Sequence, residues 1–254
     1  MAQPETNSPA LTPALTPALT PALTAEQMRL FRHNGFLQLE ERVPEDLVVR
    51  LRGAIDTDVA AKVQPLVRDG DRVVRLSQVL DRAPVFREVA TGPLVLDPLE
   101  ALLGPNIEIV RNRHNHATLN VASTRSDPFH RDVVQWSRGM LTVIFYLEET
   151  NLDNGCTQVI PGTHMLPGAG VLHRLEEEDW VAAARVTGQA VPVPMPAGGM
   201  LAIDSLIFHR IGPNRTDGTR TSMTIGYRSA DELAGEPDGK AELVRGERVY
   251  RGND

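Results

Sequence analysis

Cysteine is almost absent from this sequence. The 254 residues include a single cysteine, Cys156, which has no second cysteine in the chain with which to form a disulfide. A chain that folds without disulfides is typical of a reducing compartment. The opening residues MAQPETNSPA also lack the basic and apolar regions of a secretory signal peptide. The sequence therefore predicts a cytoplasmic protein.

Lysine, aromatic residues and long apolar runs are scarce as well. Lysine occurs only at Lys62 and Lys240, aromatic residues make up 4% of the chain, and the net charge at pH 7 is −7. A negatively charged protein is a poor partner for nucleic acid or for an anionic membrane. No apolar run approaches the roughly 20 residues of a membrane-spanning helix. We expect neither nucleic acid nor membrane as a partner, and composition leaves the oligomeric state open.

A proline repeat separates the start of the chain from the rest. Residues 9–23 repeat Pro-Ala-Leu-Thr, and a proline at every fourth position prevents both helices and strand ladders. We therefore expect residues 1–23 to form a disordered, low-complexity tail. The remaining residues, 24–254, have the length of a single domain, and a hydrophobic content of 41% is enough for a core.

Within that domain the sequence pattern changes near residue 106. Residues 24–105 begin with the capping-box pair Thr24 and Gln27 and continue with helical spacing, which predicts a helical N-terminal part. Residues 106–229 contain short apolar segments divided by glycine, proline and asparagine, which is typical of β-strands. Residues 165–190 interrupt the strands and are expected to form a lid. The predicted fold is mainly β with flanking helices: a double-stranded β-helix, or cupin-like jelly roll.

Three residues in this β region form the pattern of a metal site. His130 and Asp132 lie two residues apart, so on a strand their side chains point to the same face. His209 is expected to join them from a second strand. Two histidines and one carboxylate are the facial triad of non-heme Fe(II) oxygenases, which leaves open metal positions. Arg220 follows closely and supplies a guanidinium fork suited to a carboxylate.

The residues around this pattern resemble a known family. They are DPFHRDVVQWSRGM at 127–140, DNGCTQVIPGTH at 153–164 and GGMLAIDSLIFHRIGPNRTDGTRTSMTIGYRS at 198–229. Together they resemble the phytanoyl-CoA dioxygenase (PhyH-like) family of Fe(II)/2-oxoglutarate-dependent oxygenases. The resemblance extends over about residues 110–229 and, more weakly, over residues 24–60.

The resemblance implies a role for particular residues. His130, Asp132 and His209 correspond to the iron ligands of the family. Arg220 corresponds to the residue that binds the distal carboxylate of the cosubstrate 2-oxoglutarate. Thr157 lies where relatives often place a small hydroxyl group near that cosubstrate.

Two further residues are candidates for the substrate pocket. Trp136 lies where some relatives have a pocket tryptophan, although it is equally suited to core packing. His116 belongs to the His114-Asn115-His116 segment, and His-x-His on a strand is itself a metal motif in cupins. Cupins add a glutamate a few residues later, whereas no carboxylate follows here before Asp127. We therefore expect this strand to line the pocket, and the sequence leaves open which face points inward.

The resemblance implies an oxidoreductase, a 2-oxoglutarate-dependent dioxygenase with iron as cofactor. Molecular oxygen and a small-molecule substrate would be its other partners, and succinate and CO2 its by-products. Asp132 retains the carboxylate that halogenating relatives lack, which favours hydroxylation. The excess of arginine over lysine is typical of a GC-rich bacterial genome and favours a role in bacterial natural product biosynthesis. Desaturation, cyclisation, epoxidation and epimerisation remain alternatives, as does a metal-binding cupin or sensor that catalyses no oxidation.

Overall fold

The computed structural model describes residues 22–123, 127–133, 139–166, 174–175, 185–231 and 239–248. The helices are α1 (Ala25–Asn34), α2 (Glu45–Ala61), α3 (Pro84–Ala90) and α4 (Pro93–Leu103). The strands are β1 (Phe36–Leu39), β2 (Leu66–Asp69), β3 (Arg72–Ser77), β4 (Ile107–Val110), β5 (Asn115–Asn120), β6 (Met140–Tyr146), β7 (Thr157–Val159), β8 (Val191–Val193), β9 (Met200–Asp204), β10 (His209–Ile211), β11 (Arg220–Ser229) and β12 (Ala241–Arg245). None of the helices in these ranges is both long and apolar enough to cross a bilayer.

The strands form two antiparallel sheets. In the larger sheet the order is β1-β9-β6-β11-β5-β3-β2, and β4 pairs with β11 and β12. The smaller sheet has the order β10-β7-β8. An apolar cluster that includes Ile144, Val159 and Leu201 packs between the two sheets. This arrangement of two sheets around an interior confirms the predicted jelly roll.

Alternation along the central strands divides the larger sheet into two faces. On β6, Leu141, Val143 and Phe145 belong to the cluster that packs against the helices. The intervening Thr142 and Ile144 line the cavity between the sheets. Because successive side chains on a strand point to opposite faces, one strand serves the core and the cavity at once.

The N-terminal part combines helices with strands. Thr24 caps α1 as predicted, since its Oγ1 accepts a hydrogen bond from the backbone N–H of Gln27 at 3.1 Å. The sequence did not predict the hairpin of β2 and β3, in which β3 pairs with β5 of the larger sheet. Residues 24–105 are therefore less uniformly helical than expected, because their strands extend the larger sheet at both edges.

Some of the predictions concern residues outside the described ranges. The proline repeat at residues 9–21 and most of the expected lid, including residues 167–173 and 176–184, lie outside the described residues. Trp136 lies outside them too. These features, and the boundaries of the domain, remain predictions.

A close contact between two glycines fixes the smaller sheet. Gly155, at φ +81°, lies two residues before the start of β7, and Gly212 immediately follows β10. A Cβ atom on Gly155 would lie 2.3 Å from the backbone oxygen of Gly212 and 2.6 Å from Nδ2 of Asn120. Only glycine allows this approach, because the positive φ also disfavours any other residue.

We expect Gly155→Ala to lower the free energy of unfolding by roughly 2–4 kcal/mol, from backbone strain together with steric overlap. Gly70→Ala is the matched control, because Gly70 also has a positive φ, +61°, but a Cβ atom added there would meet nothing within 4 Å. The control should cost only about 1 kcal/mol. Urea unfolding of the two variants measures the difference, and equal losses would show that the contact with Gly212 is unimportant.

Candidate active site

His130, Asp132 and His209 come together at the edge of the smaller sheet. The backbone N–H of His130 donates to the carbonyl of His209 at 2.9 Å, and the N–H of His209 donates back at 3.0 Å. This pairing places the His130 segment beside β10. One potential ligand atom from each of the three residues lies within 4.8 Å of the other two. The structure thus brings together the three residues that the sequence pattern singled out.

Each of the two histidine rings is oriented by the backbone carbonyl two residues earlier in the chain. Nδ1 of His209 lies 3.1 Å from the carbonyl oxygen of Ile207, and Nδ1 of His130 lies 3.3 Å from that of Pro128. A histidine that binds a metal commonly donates its other ring N–H to such an acceptor. On His209 this leaves Nε2 directed at the cluster, 3.5 Å from Oδ1 of Asp132.

Asp132 is tied to the larger sheet, to β6 and to the residue that follows β9. Its backbone N–H donates to the carbonyl of Ser205 at 3.0 Å, and its Oδ2 accepts a hydrogen bond from the hydroxyl of Thr142 on β6 at 2.5 Å. Burial alone would raise the pKa of Asp132, but the neighbouring histidines and the Thr142 hydroxyl outweigh it and lower the pKa. The carboxyl group is therefore held as a carboxylate, which is the form that binds a cation.

These three residues open onto a cavity of about 660 Å³ between the sheets. His116, Thr157 and Arg220, which the sequence assigned to the pocket or the cosubstrate, line the same cavity. On β11 the side chains of Ser222 and Thr224 line it as well. The alternating polar side chains of β11 therefore face the cavity.

Arg220 is a buried cation whose hydrogen-bond donors are only partly satisfied. Only 2% of the residue is exposed, and its Nε and Nη2 have no hydrogen-bond partner among the described residues. Burial lowers the pKa of Arg220 while nearby Tyr146 and Glu148 raise it, but an arginine stays charged at any ordinary pH. A buried, incompletely paired guanidinium is costly unless an anion fills the space beside it.

Two hydroxyl groups lie near that guanidinium. The hydroxyl of Tyr146 and Oγ1 of Thr157 are 2.7 Å apart, and the Arg220 guanidinium carbon lies 5.9 Å from the centroid of the Tyr146 ring. Burial raises the pKa of Tyr146 to about 12, so the phenol keeps its proton. Tyr146 was not singled out from the sequence, although its alternation with Thr142 and Ile144 on β6 was a usable signal.

A second arginine, Arg75 on β3, lines the same cavity. Its Nη2 lies 3.0 Å from Nδ1 of His116. Burial, and then the positive charge of Arg75, lower the pKa of His116 to about 3. His116 is therefore neutral, and because Arg75 donates to Nδ1, the ring proton sits on Nε2. Arg75 was not predicted as a pocket residue, because the sequence around it does not show the apolar pattern of a strand.

The donor set fits ferrous iron, and the free donors of Arg220 fit a carboxylate. Two imidazole nitrogens and one carboxylate oxygen are the ligands of non-heme iron sites with open positions. Among the described residues, the cluster of ligand atoms consists of His130, Asp132 and His209, and neither histidine of the His114-Asn115-His116 segment belongs to it.

Comparison with known proteins identifies the family. Residues 31–222 match the phytanoyl-CoA dioxygenase (PhyH) family. The chain belongs to this family. Human peroxisomal phytanoyl-CoA dioxygenase is 24% identical over 235 residues, which cover 81% of this chain and 68% of the human enzyme.

Two solved structures share the fold. EctD from S. alaskensis, determined with bound Fe, superposes with a TM-score of 0.70 at 21% identity, and the match covers 86% of this chain and 81% of EctD. SnoN, a non-heme α-ketoglutarate-dependent epimerase from nogalamycin biosynthesis, also gives 0.70, at 18% identity, covering 87% of this chain and 97% of SnoN. This member of the phytanoyl-CoA dioxygenase family is a 2-oxoglutarate-dependent non-heme iron oxygenase, as the resemblance implied.

We expect Arg220→Met to raise the free energy of unfolding of the ligand-free protein by about 1–3 kcal/mol, because it removes a buried group whose donors are unsatisfied. Arg82→Met is the matched control. Arg82 is also buried, but its Nη1 pairs with Asp58 at 2.8 Å and its Nε donates to the carbonyl of Ser77 at 2.8 Å. The control should lose about 1–3 kcal/mol. Denaturant unfolding without 2-oxoglutarate measures both, and a destabilised Arg220→Met would mean that Arg220 is satisfied in the ligand-free protein.

Proposed function

We propose that this oxygenase hydroxylates a small molecule, with iron held by His130, Asp132 and His209. The observation that carries the proposal is that these three residues and the incompletely paired Arg220 face one cavity. When bound there, iron and 2-oxoglutarate supply the oxidising chemistry: O2 is consumed, 2-oxoglutarate becomes succinate and CO2, and one oxygen atom enters the substrate.

The protein's contribution is to hold these groups in place. Arg220 receives the distal carboxylate of 2-oxoglutarate through its Nε and Nη2 donors, in the paired geometry that arginine offers to carboxylates. The hydroxyl pair of Tyr146 and Thr157 lies beside that position and supplies further hydrogen bonds. Because Arg220 is buried beside the cavity that the three iron ligands face, its ion pair with the distal carboxylate would fix the orientation of the cosubstrate relative to those ligands.

The substrate occupies the rest of the cavity. Arg75 and the Nε2 proton of His116 offer hydrogen-bond donors, while Val67, Val74 and Ile144 offer apolar surface. A cavity of about 660 Å³ is in the range that holds small molecules. We propose a substrate from bacterial specialised metabolism rather than a fatty acyl-CoA, and the single cysteine supports the cytoplasm as the compartment.

Other outcomes are compatible with the same cofactors. SnoN, which shares the fold, is an epimerase, and the position of the substrate determines whether oxygen is inserted or only hydrogen is lost. Desaturation, cyclisation, epoxidation and epimerisation are therefore the second candidates. The alternative of a metal-binding cupin that catalyses no oxidation does not agree with membership of this family of oxygenases.

Titration with Fe(II) and 2-oxoglutarate without oxygen tests the site. We expect a weak visible charge-transfer band that saturates in the wild type, because the keto acid chelates the metal. Asp132→Ala should lose the band, since it removes a ligand. Arg220→Met should bind 2-oxoglutarate at least about 30-fold more weakly, the cost of removing one partner of a buried charge pair.

The control for this titration is Arg215→Ala, because Arg215 is exposed and lies in the turn after the distal histidine. Its titration should match that of the wild type. A normal affinity for 2-oxoglutarate in Arg220→Met, with a weakened one in Arg215→Ala, would move the carboxylate site to Arg215. A normal band in Asp132→Ala would exclude the proposed metal site.

Product mass distinguishes hydroxylation from its alternatives. With a substrate found by screening small metabolites for stimulated succinate release, we expect a product with one added oxygen atom, and this atom should come from labelled O2. Loss of two hydrogen atoms would instead indicate desaturation or cyclisation, and an unchanged mass would indicate epimerisation. Because an epoxide carries the same added oxygen, a product that opens in dilute acid would argue against hydroxylation.

A further inference from the structure

His114 lies at a break between two strands. β4 ends at Val110 and β5 begins at Asn115, and His114 stands at the junction with φ +46°. Left-handed backbone is uncommon for a residue other than glycine and is maintained only where the surroundings impose it. Strained residues of this kind cluster at functional sites, which makes the contacts of His114 informative.

The imidazole of His114 points at the proposed metal site. Its Nε2 lies 3.4 Å from Oδ1 of Asp132, the same carboxylate oxygen that faces His209. The other oxygen, Oδ2, is already held by the hydroxyl of Thr142. Each oxygen of the buried Asp132 carboxylate therefore has its own neighbour outside the triad.

The strained turn is held firmly against β11 and Asp132. The carbonyl of His114 accepts a hydrogen bond from the N–H of Gly226 at 2.9 Å. A Cβ atom on Gly226 would lie 3.4 Å from Cβ of His114, an ordinary van der Waals distance, so the turn packs directly against β11. The preceding residue, Arg113, donates through Nη1 to the backbone carbonyl of Asp132 at 2.5 Å. Arg113 and His114 thus contact the backbone and the side chain of the same residue.

We propose that His114 is a positioning residue for the iron centre, which holds Oδ1 of Asp132 by a hydrogen bond from Nε2. This inference rests on the proposed function, because it takes Asp132 as a ligand. It does not make His114 a fourth ligand, since the ligand atoms that lie within 4.8 Å of one another belong to His130, Asp132 and His209. Mutation of a residue that hydrogen-bonds to a metal ligand typically lowers metal affinity or activity by about 10–100-fold.

Replacing His114 with glutamine or leucine tests the hydrogen bond. Both side chains experience the same backbone strain, but only glutamine carries an N–H donor that reaches the position of Nε2. We expect His114→Leu to bind Fe(II) about 10-fold more weakly than the wild type. Its charge-transfer band with 2-oxoglutarate should move to longer wavelength, because a carboxylate without this donor gives more electron density to the metal. His114→Gln should recover most of both properties.

His114→Gly separates this role from folding. Glycine relieves the positive φ, so the metal-free variant should melt no lower than metal-free His114→Leu. Its affinity for Fe(II) should nevertheless be as weak as that of His114→Leu. If His114→Leu fails to fold, the comparison of His114→Gly with His114→Gln still measures the effect of the donor.

Asp132→Ala distinguishes failure of this inference from failure of the proposed function. If Asp132→Ala loses Fe(II) binding while all His114 variants bind normally, the triad stands and the positioning role is wrong. If His114→Gln is no better than His114→Leu, the hydrogen bond is not the cause. If His114→Leu loses iron as completely as Asp132→Ala, His114 is itself a ligand, which also overturns the inference. Normal binding in Asp132→Ala would reject the metal site itself.

Discussion

The reciprocal pairing of His130 with His209 is the constraint on which the site depends. Two backbone hydrogen bonds bring a segment from before β6 beside a strand that begins some 80 residues later in the chain. Asp132, two residues beyond His130, contacts Ser205 and Thr142 on the side of the larger sheet, so that the His130–Asp132 segment joins the smaller sheet to the larger one. Backbone geometry thus determines where the three side chains meet.

The buried charge of Arg220 makes the protein less stable when no anion is bound beside it. Two of its donors have no partner among the described residues, whereas the histidines around Asp132 favour its carboxylate. A ligand that satisfies these donors recovers this free energy on binding, so stability and affinity for the cosubstrate are linked through Arg220.

Features that depend on local sequence pattern could be predicted, whereas contacts that depend on the register between strands could not. The capping box at Thr24, the jelly roll and the oxygenase class are confirmed, and the residues of the predicted triad lie together. The contacts of Arg75 and His114 could not be predicted, because each arises where β5 pairs with a distant strand or turns out of β4. Hydrophobic periodicity does not indicate which residue has a positive φ. The β2–β3 hairpin was missed because its strands are mostly exposed and carry little apolar pattern.

The β2–β3 hairpin separates part of the cavity wall from the iron ligands. Arg220 and Thr142 stand on interior strands of the larger sheet, whereas the hairpin joins that sheet only through the pairing of β3 with β5 and leaves β2 as a free edge. Its two strands still contribute Val67, Asp69, Val74 and Arg75 to the cavity wall. The hairpin is therefore an exchangeable part of the enzyme. Grafting it between relatives is a direct route to altered substrate preference on an unchanged iron centre.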